Sequence, residues 1–171
     1  MLSSMRLAGM ISAFALAAGP WPALLAAEPV VVGWVETVKL GTEGLAISAK
    51  LDTGADTSSL HADDIRWFTR DDGDWVSFEV ANENGEKARF ERRVVRIARI
   101  KRTRGDPQRR PTIMLGICLG AVYRLTQVNL VDRGRLNYDL LVGRRFLKDH
   151  FAVDSARTYT VKPRCDVSNP Q

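Results

Sequence analysis

Residues 45–55 read Leu-Ala-Ile-Ser-Ala-Lys-Leu-Asp-Thr-Gly-Ala, in which apolar residues alternate with small or polar ones up to Asp52. This period of two predicts a strand with one buried face that ends at the aspartate. A hydroxyl residue and a glycine without a Cβ follow, so the chain can turn sharply while backbone amides hold the carboxylate. An Asx turn that only closes the strand is the alternative interpretation. Asp52 is therefore a candidate catalytic residue.

Two segments, in this order, resemble those of a retropepsin-like aspartic peptidase. Ala49–Leu60 contains the Asp-Thr-Gly sequence, and Leu140–Leu147 contains an apolar-apolar-Gly-Arg sequence. More narrowly, four motifs look like the bacterial family often labelled "ATP-dependent zinc protease": Val32–Glu36, Leu60–Ala62, Arg110–Ile113 and Gly143-Arg144. The resemblance extends from about Val31 to Val161 and implies an all-β, retropepsin-like acid protease barrel with one short helix.

The resemblance also implies an activity. An aspartic peptidase needs two carboxylates that lie about 3 Å apart and share one proton. This chain has one Asp-Thr-Gly, so we expect it to form half of a dimeric active site, with Asp52 of a second copy across a two-fold axis. We predict an exported aspartic endopeptidase that hydrolyses peptide or isopeptide bonds. The alternative is a non-catalytic module of the same fold that binds a peptide or an acidic polymer in the cell envelope.

The predicted catalytic residues are Asp52, Thr53 and Gly54. Thr53 would brace the pair across the axis, and Gly54 would leave room for the substrate backbone. Ala55 and Lys50 are the predicted substrate-binding residues. Lys50 shares a strand face with Asp52, where its ammonium group would favour the ionised acid, anchor an acidic substrate group, or point to solvent.

Asp56 and Arg144 are predicted as structural support for this loop. The resemblance places the residue after Asp-Thr-Gly-Ala close to the arginine of the Gly-Arg sequence. Their opposite charges would then form a partly buried, bidentate ion pair.

No cofactor and no metal site are predicted. The chain has two histidines, His61 and His150, which lie far apart and form no His-Glu-x-x-His sequence, and it lacks a Gly-x-x-x-x-Gly-Lys-Ser/Thr loop. Neither zinc nor ATP follows from these residues. Cys118 and Cys165 are the two cysteines, and the sequence leaves open whether they form a disulfide or stay as thiols.

Residues 1–27 resemble a signal peptide. Arg6 gives a positive start, Leu7–Gly19 is mostly apolar, and Ala26-Ala27 offers a cleavage point. We predict cleavage after Ala27, a periplasmic location and one peptidase domain at residues 28–171, with an uncleaved anchor as the alternative.

The chain carries a net charge of +5, and its basic residues are concentrated between Arg89 and Arg110. A solvated strand and loop is the simplest interpretation, and an acidic polymer, an acidic substrate or the envelope surface is the alternative. We predict no nucleic-acid partner, because no aromatic residues alternate with the basic ones for base stacking. The expected partners are a second copy of the chain and a peptide or protein substrate.

The rest of the chain predicts short strands. Hairpins are expected at 30–51, 75–100 and 112–131, a strand at 138–142, a helix at 144–150 and a last hairpin at 151–161. Ser59–Trp67 is expected to be irregular or helical. Arg70–Asp74 or Asn82–Glu86 is the candidate flap over the active site.

Overall fold

The computed structural model describes residues 28–100 and 108–166, which form ten strands and one short helix. The predicted signal peptide at 1–27 lies outside the described residues. No helix within the described part of the chain is long and apolar enough to cross a membrane. The elements are β1 (Val30–Leu40), β2 (Leu45–Asp52), β3 (Ser58–His61), β4 (Asp63–Arg70), β5 (Gly73–Ala81), β6 (Lys87–Ile100), β7 (Gln108–Leu119), β8 (Val122–Val131), β9 (Leu140–Gly143), α1 (Arg144–Leu147) and β10 (Phe151–Thr158).

Six of the strands close into a barrel in the order β1-β2-β9-β3-β8-β7. The ring is completed by antiparallel pairing of β7 with β1, through Cys118 opposite Lys39 and Ile117 opposite Leu40. The predicted all-β barrel with a single short helix is therefore confirmed.

Strand β2 shows why this sequence builds a barrel. Leu45, Ile47, Ala49 and Leu51 are buried, while the residues between them are partly exposed. Because successive side chains of a strand point to opposite faces, the apolar set fills the barrel and Asp52 lies on the outer face. β2 also pairs in parallel with β9, which sets Asp52 opposite Gly143.

A ribbon of β4, β5 and the first half of β6 extends from the barrel. Phe78 and Phe90 are fully buried opposite one another, with ring centroids 5.3 Å apart. The turn at Asn82–Glu86 is fixed to the start of β2, because Ser48 N–H donates to Glu83 and the Asn82 amide donates to Ala46 O. The role of a flap, for this turn or for Arg70–Asp74, remains a prediction.

Two expectations about secondary structure were wrong. Ser59–Trp67 is extended in β3 and β4 rather than irregular or helical, because β3 lies between β8 and β9 and is buried on both faces, so that it shows no alternation. The last hairpin, expected at 151–161, is instead the single strand β10, which pairs in parallel with β1.

A buried carboxylate and a disulfide hold the segment that follows β10. Glu36 is 0% exposed, and its carboxylate accepts hydrogen bonds from Gly33 N–H, from Thr160 N–H and hydroxyl, and from Val161 N–H. Cys118 and Cys165 are bonded to each other, which settles the alternative that the sequence left open. The segment after β10 is thus fastened to both β1 and β7.

Candidate active site

Asp52 stands at the end of β2 with one carboxylate oxygen held by backbone N–H groups and the other near Lys50. Oδ1 accepts hydrogen bonds from Gly54 N–H at 2.9 Å and from Ala55 N–H at 3.2 Å. A Cβ on Gly54 would lie only 3.1 Å from this oxygen, so a glycine keeps the turn tight. Oδ2 lies 3.9 Å from Lys50 Nζ, and the Asp52 side chain is 28% exposed. The arrangement fixes the acid, while Oδ2 accepts no hydrogen bond from the described residues.

The junction of β9 and α1 grips the loop that follows Asp52. Arg144 N–H donates to Ala55 O at 2.8 Å, and Arg145 N–H donates to Asp56 O at 3.1 Å. A Cβ on Gly143 would come within 2.8 to 3.0 Å of backbone atoms of residues 55–57. The Gly-Arg sequence therefore lets two backbone segments meet at a distance that a side chain would prevent.

The predicted ion pair between Asp56 and Arg144 is corrected by one position. Arg145 Nε lies 2.9 Å from Asp56 Oδ2, whereas Arg144 Nη1 donates to the carbonyl oxygens of Thr53 and Gly54. Both members of the observed pair are about half exposed, so it contributes about 0 to 1 kcal/mol and is not a buried brace. Sequence spacing could not decide which of the two adjacent arginines meets Asp56. The helix α1 begins at Arg144, directly after β9, so the two side chains point in different directions.

The remaining predicted residues lie at the surface of the loop. Thr53 is exposed and, with Leu147, Lys148 and Phe151, lines a mostly apolar cavity of about 320 Å³. Its predicted role as a brace between two copies remains a prediction. Ala55 lines a different cavity, on the side of Arg96.

A cavity of about 460 Å³ lies beside Asp52 and is rich in cations. It reaches Asp52 through Lys50, whose Nζ lies 3.9 Å from Asp52 Oδ2, and Asp52 itself does not line it. Its lining includes Lys50, Arg133 and Arg135 together with Trp34, Leu136, Asn137, Tyr138 and Leu141. Residues 132–135 lie between the hairpin expected at 112–131 and the strand expected at 138–142, and sequence reasoning assigned no role to either arginine. Their positive charge could have marked them as candidates for binding an anion. Nothing in the sequence, however, showed that residues 132–135 lie close to the end of β2.

Arg133 is held in place on the inner side of this cavity. It is 9% exposed, Nη1 donates to Ser59 Oγ at 2.8 Å, and Nε donates to Tyr138 O at 3.0 Å. Burial lowers the pKa of Arg133, and the charge of Arg110 acts in the same direction, while Asp139 and Asp52 act to raise it. A guanidinium stays protonated in proteins, so the cavity keeps this charge.

The basic segment between Arg89 and Arg110 divides into two parts. Three of its arginines are paired with acidic partners outside the segment: Arg89 with Asp64, Arg92 with Glu43 and Arg93 with Asp72. Arg96, Arg99 and Arg110 instead line a second cavity of about 380 Å³, which also contains Asp56 and Leu141. The part that includes Arg89 is thus largely neutralised, and the later part faces the active-site loop.

The candidate metal ligands lie in other environments. His61 Nδ1 accepts a hydrogen bond from Arg133 N–H, and the cysteines form a disulfide. Across residues 28–100 and 108–166, no three His, Cys, Asp or Glu side chains form a group able to hold a metal ion.

Comparison with known proteins agrees with the predicted family. Residues 31–164 match a model described as RimB-like, retropepsin-like aspartic endopeptidase RimB. A solved structure of Lpg0085, a protein of unknown function from Legionella pneumophila, is 36% identical with a TM-score of 0.69, over 79% of this chain and 100% of that one. The retropepsin-like resemblance and fold are confirmed.

The curated relatives carry a different kind of name. A probable alpha-L-glutamate ligase of Shewanella pealeana is 33% identical over 129 residues, which are 74% of this chain and 28% of the relative. Proteins of the same name from Parasynechococcus marenigrum and Desulfotalea psychrophila are 35% and 34% identical, over 73% and 72% of this chain. The chain spans about 28% of the length of the curated relatives it matches.

These names overturn the predicted function. An exported endopeptidase that hydrolyses peptide bonds through an Asp52 pair is not what the curated relatives are named for, because a ligase forms a bond and a peptidase breaks one. Both the relatives and the family model are nevertheless named after enzymes, so the prediction of an enzyme holds at that level.

Proposed function

Because the chain belongs to the RimB-like family of retropepsin-like aspartic endopeptidases, we propose that it is an enzyme of the aspartic type that acts on α-L-glutamyl chains. The observation that carries this proposal is the cavity beside Asp52, where Lys50, Arg133 and Arg135 are gathered. The proposal replaces the general endopeptidase with an enzyme whose substrate is defined by glutamate carboxylates.

The relatives' names support this substrate. They are named as α-L-glutamate ligases, and they contain a region similar to this chain within a longer protein. A polypeptide extended by glutamate carries one carboxylate on each added residue, so a domain that works on the same chain meets a polyanion. A cleft lined by positive charge concentrates such a ligand and orients it.

The arrangement of Asp52 supports an acid–base role. Oδ1 is fixed by two backbone N–H groups, so Oδ2 is left to take a proton from water. The water oxygen would bond to the carbonyl carbon of a glutamyl bond, the C–N bond would break, and the amine would leave with a proton. This reaction needs no nucleotide, whereas ligation requires prior activation of a carboxyl group.

The leaving amine also needs a proton, which Asp52 can return after taking it from water. A homodimer remains a separate proposal, as does export through residues 1–27. If the active unit is a homodimer, the rate per molecule should fall when the protein is diluted below its dissociation constant.

The first experiment follows the length of an α-linked glutamate oligopeptide by mass spectrometry, with purified protein and no nucleotide. We expect the peptide to shorten, and we expect Asp52→Asn to slow this by about 10² to 10⁴-fold, the usual size of a general acid–base contribution. Asp149→Asn is the matched control, because Asp149 is 72% exposed and lies outside the cavity beside Asp52.

Three outcomes would contradict the proposal. Shortening at the full rate by Asp52→Asn would remove this residue from the chemistry. Lengthening of the peptide with added glutamate and ATP would assign the chain to ligation. Binding of the peptide without any change in its length would leave a binding module of this fold.

A further inference from the structure

We propose that the cavity beside Asp52 is a subsite for the side-chain carboxylate of one glutamate next to the reacting bond, with Arg133 and Arg135 as its ligands. This inference rests on the proposed function for its substrate class. It goes further in assigning one cavity, one substrate group and the residues that distinguish glutamate from glutamine.

The position of the cavity follows from the pairing of β2 with β9. Lys50 lies opposite Leu141, and Asp52 lies opposite Gly143, so the cavity begins two residues before the acid. Two residues of a strand span about 6 to 7 Å, which is also the spacing of side chains on one face of an extended peptide. A substrate whose bond lies at Asp52 therefore places a neighbouring side chain beside Lys50.

Arg133 provides a cation that is already positioned. Nε and Nη1 are engaged by Tyr138 O and Ser59 Oγ, and the backbone N–H is engaged by His61. The described contacts leave Nη2 for a ligand. Because the guanidinium is ordered before binding, little conformational entropy is lost when a carboxylate arrives.

The other walls fit the remainder of a glutamate side chain. Trp34 and Tyr138 meet edge to face with ring centroids 5.9 Å apart, and Leu136 and Leu141 extend the apolar surface. These groups can cover the two methylene carbons while the cations face the carboxylate. Arg135 is exposed at the edge of the cavity, where it can close over the bound group.

The second cavity is less suited to an anion, although it also contains arginines. Asp56 lines it, and its carboxylate would repel that of a substrate. Arg96 is also engaged there by Gln127 Oε1 and Thr57 Oγ1. Of the three cavities near the loop, the one with Arg133 differs in having no acidic residue among its described lining residues, whereas Asp56 lines both of the others.

The test compares a glutamate oligopeptide with matched peptides in which one residue at a time is glutamine. For Arg135→Gln we expect KM for the glutamate peptide to rise about tenfold, the loss of one charge-assisted hydrogen bond, with kcat unchanged. For the peptide whose glutamine occupies this subsite, KM should be the same in Arg135→Gln as in the wild-type protein. Arg99→Gln, in the second cavity, tests the competing site. Arg66→Gln, on the exposed strand β4 and outside these cavities, is the matched control and should leave KM unchanged.

Arg133→Lys gives a second measurement, since it keeps the charge but loses the fork of donors. We expect a rise in KM of similar size, with circular dichroism to confirm folding. An unchanged KM in Arg135→Gln and in folded Arg133→Lys would overturn the inference, and so would an effect confined to Arg99→Gln. In either case turnover of the glutamate peptide would leave the proposed function standing.

The converse failure is also distinguishable. Calorimetry with Asp52→Asn protein measures binding of the same peptides without turnover. If the glutamate peptide binds about tenfold more tightly than its glutamine counterpart, and Arg135→Gln removes that difference, the subsite is supported even where no bond is cleaved. Equal binding of both peptides would overturn it.

Discussion

Two carboxylates on neighbouring strands, Glu36 of β1 and Asp52 of β2, are used in opposite ways. Glu36 is 0% exposed and accepts four hydrogen bonds, which occupy both of its oxygens. The Asp52 side chain is 28% exposed and accepts two hydrogen bonds from backbone N–H groups, both on Oδ1. A carboxylate whose oxygens are all bonded within the protein holds the fold together. One that keeps an oxygen for an incoming molecule can take part in chemistry.

The largest expected effect is on stability, at Glu36. Glu36→Ala removes the carboxylate that accepts from Gly33, Thr160 and Val161, although Gly33 N–H keeps Thr160 Oγ1 as an acceptor and water can reach the two donors after β10. Because a hydrogen bond to a charged group contributes about 1.5 to 3 kcal/mol, we expect a total loss of about 3 kcal/mol in the free energy of unfolding, measured in urea with the disulfide intact.

Asp52→Ala is the matched comparison for this measurement. The N–H groups of Gly54 and Ala55 lie near solvent and can bond to water, so we expect a loss below about 1 kcal/mol. Equal losses in the two variants would erase the distinction between a structural and a functional carboxylate.

The pH dependence of stability gives a sharper form of the comparison. Burial acts to raise the pKa of Glu36, but the hydrogen bonds from Thr160, Gly33 and Val161 outweigh it, so the pKa lies below its ordinary value of 4.5. A carboxyl whose pKa is lower in the folded protein stabilises the fold above its unfolded pKa and loses that contribution as pH falls through the folded pKa. The loss is therefore expected below about pH 4.5.

Glu36→Gln isolates this contribution. The stability difference between wild type and variant should be constant from neutral pH down to about 5 and should shrink below about 4.5. Asp64 and Asp154 also have lowered pKa values, held down mainly by Arg89 for Asp64 and by Ala156 N–H for Asp154. Both aspartates are present in the wild type and in Glu36→Gln, so their contributions cancel in the stability difference between the two proteins. A difference that stayed constant through pH 3 would show that the Glu36 carboxyl does not titrate differently on folding.

The sequence predicted the part of the site that depends on local pattern. Alternation along β2 placed Asp52 at a strand end, and the Gly-Arg sequence was correctly brought beside the Asp52 loop. Residues whose role depends on distant parts of the chain were missed. Glu36 meets Thr160 across a separation of 124 residues, and Arg133 meets Ser59 across 74. No short window of sequence contains either pair, so burial of one partner by the other could not be inferred.

The smallest expected effect distinguishes the two adjacent arginines after Gly143. Arg144 Nη1 donates to the carbonyl oxygens of Thr53 and Gly54, whereas Arg145 pairs with Asp56 at the surface. All of these groups are exposed, so Arg144→Gln should lower the free energy of unfolding by only about 0.5 to 1 kcal/mol, and Arg145→Gln by less.

Local opening of the loop is the more sensitive measure of the difference between the two arginines. Because the Arg144 contacts hold the backbone that positions Gly54 and Ala55, hydrogen exchange at those two amides should be several-fold faster in Arg144→Gln and nearly unchanged in Arg145→Gln. The reverse order would restore the importance of the ion pair with Asp56 and would mean that Asp52 is held in place by surface charge rather than by hydrogen bonds to the backbone of its loop.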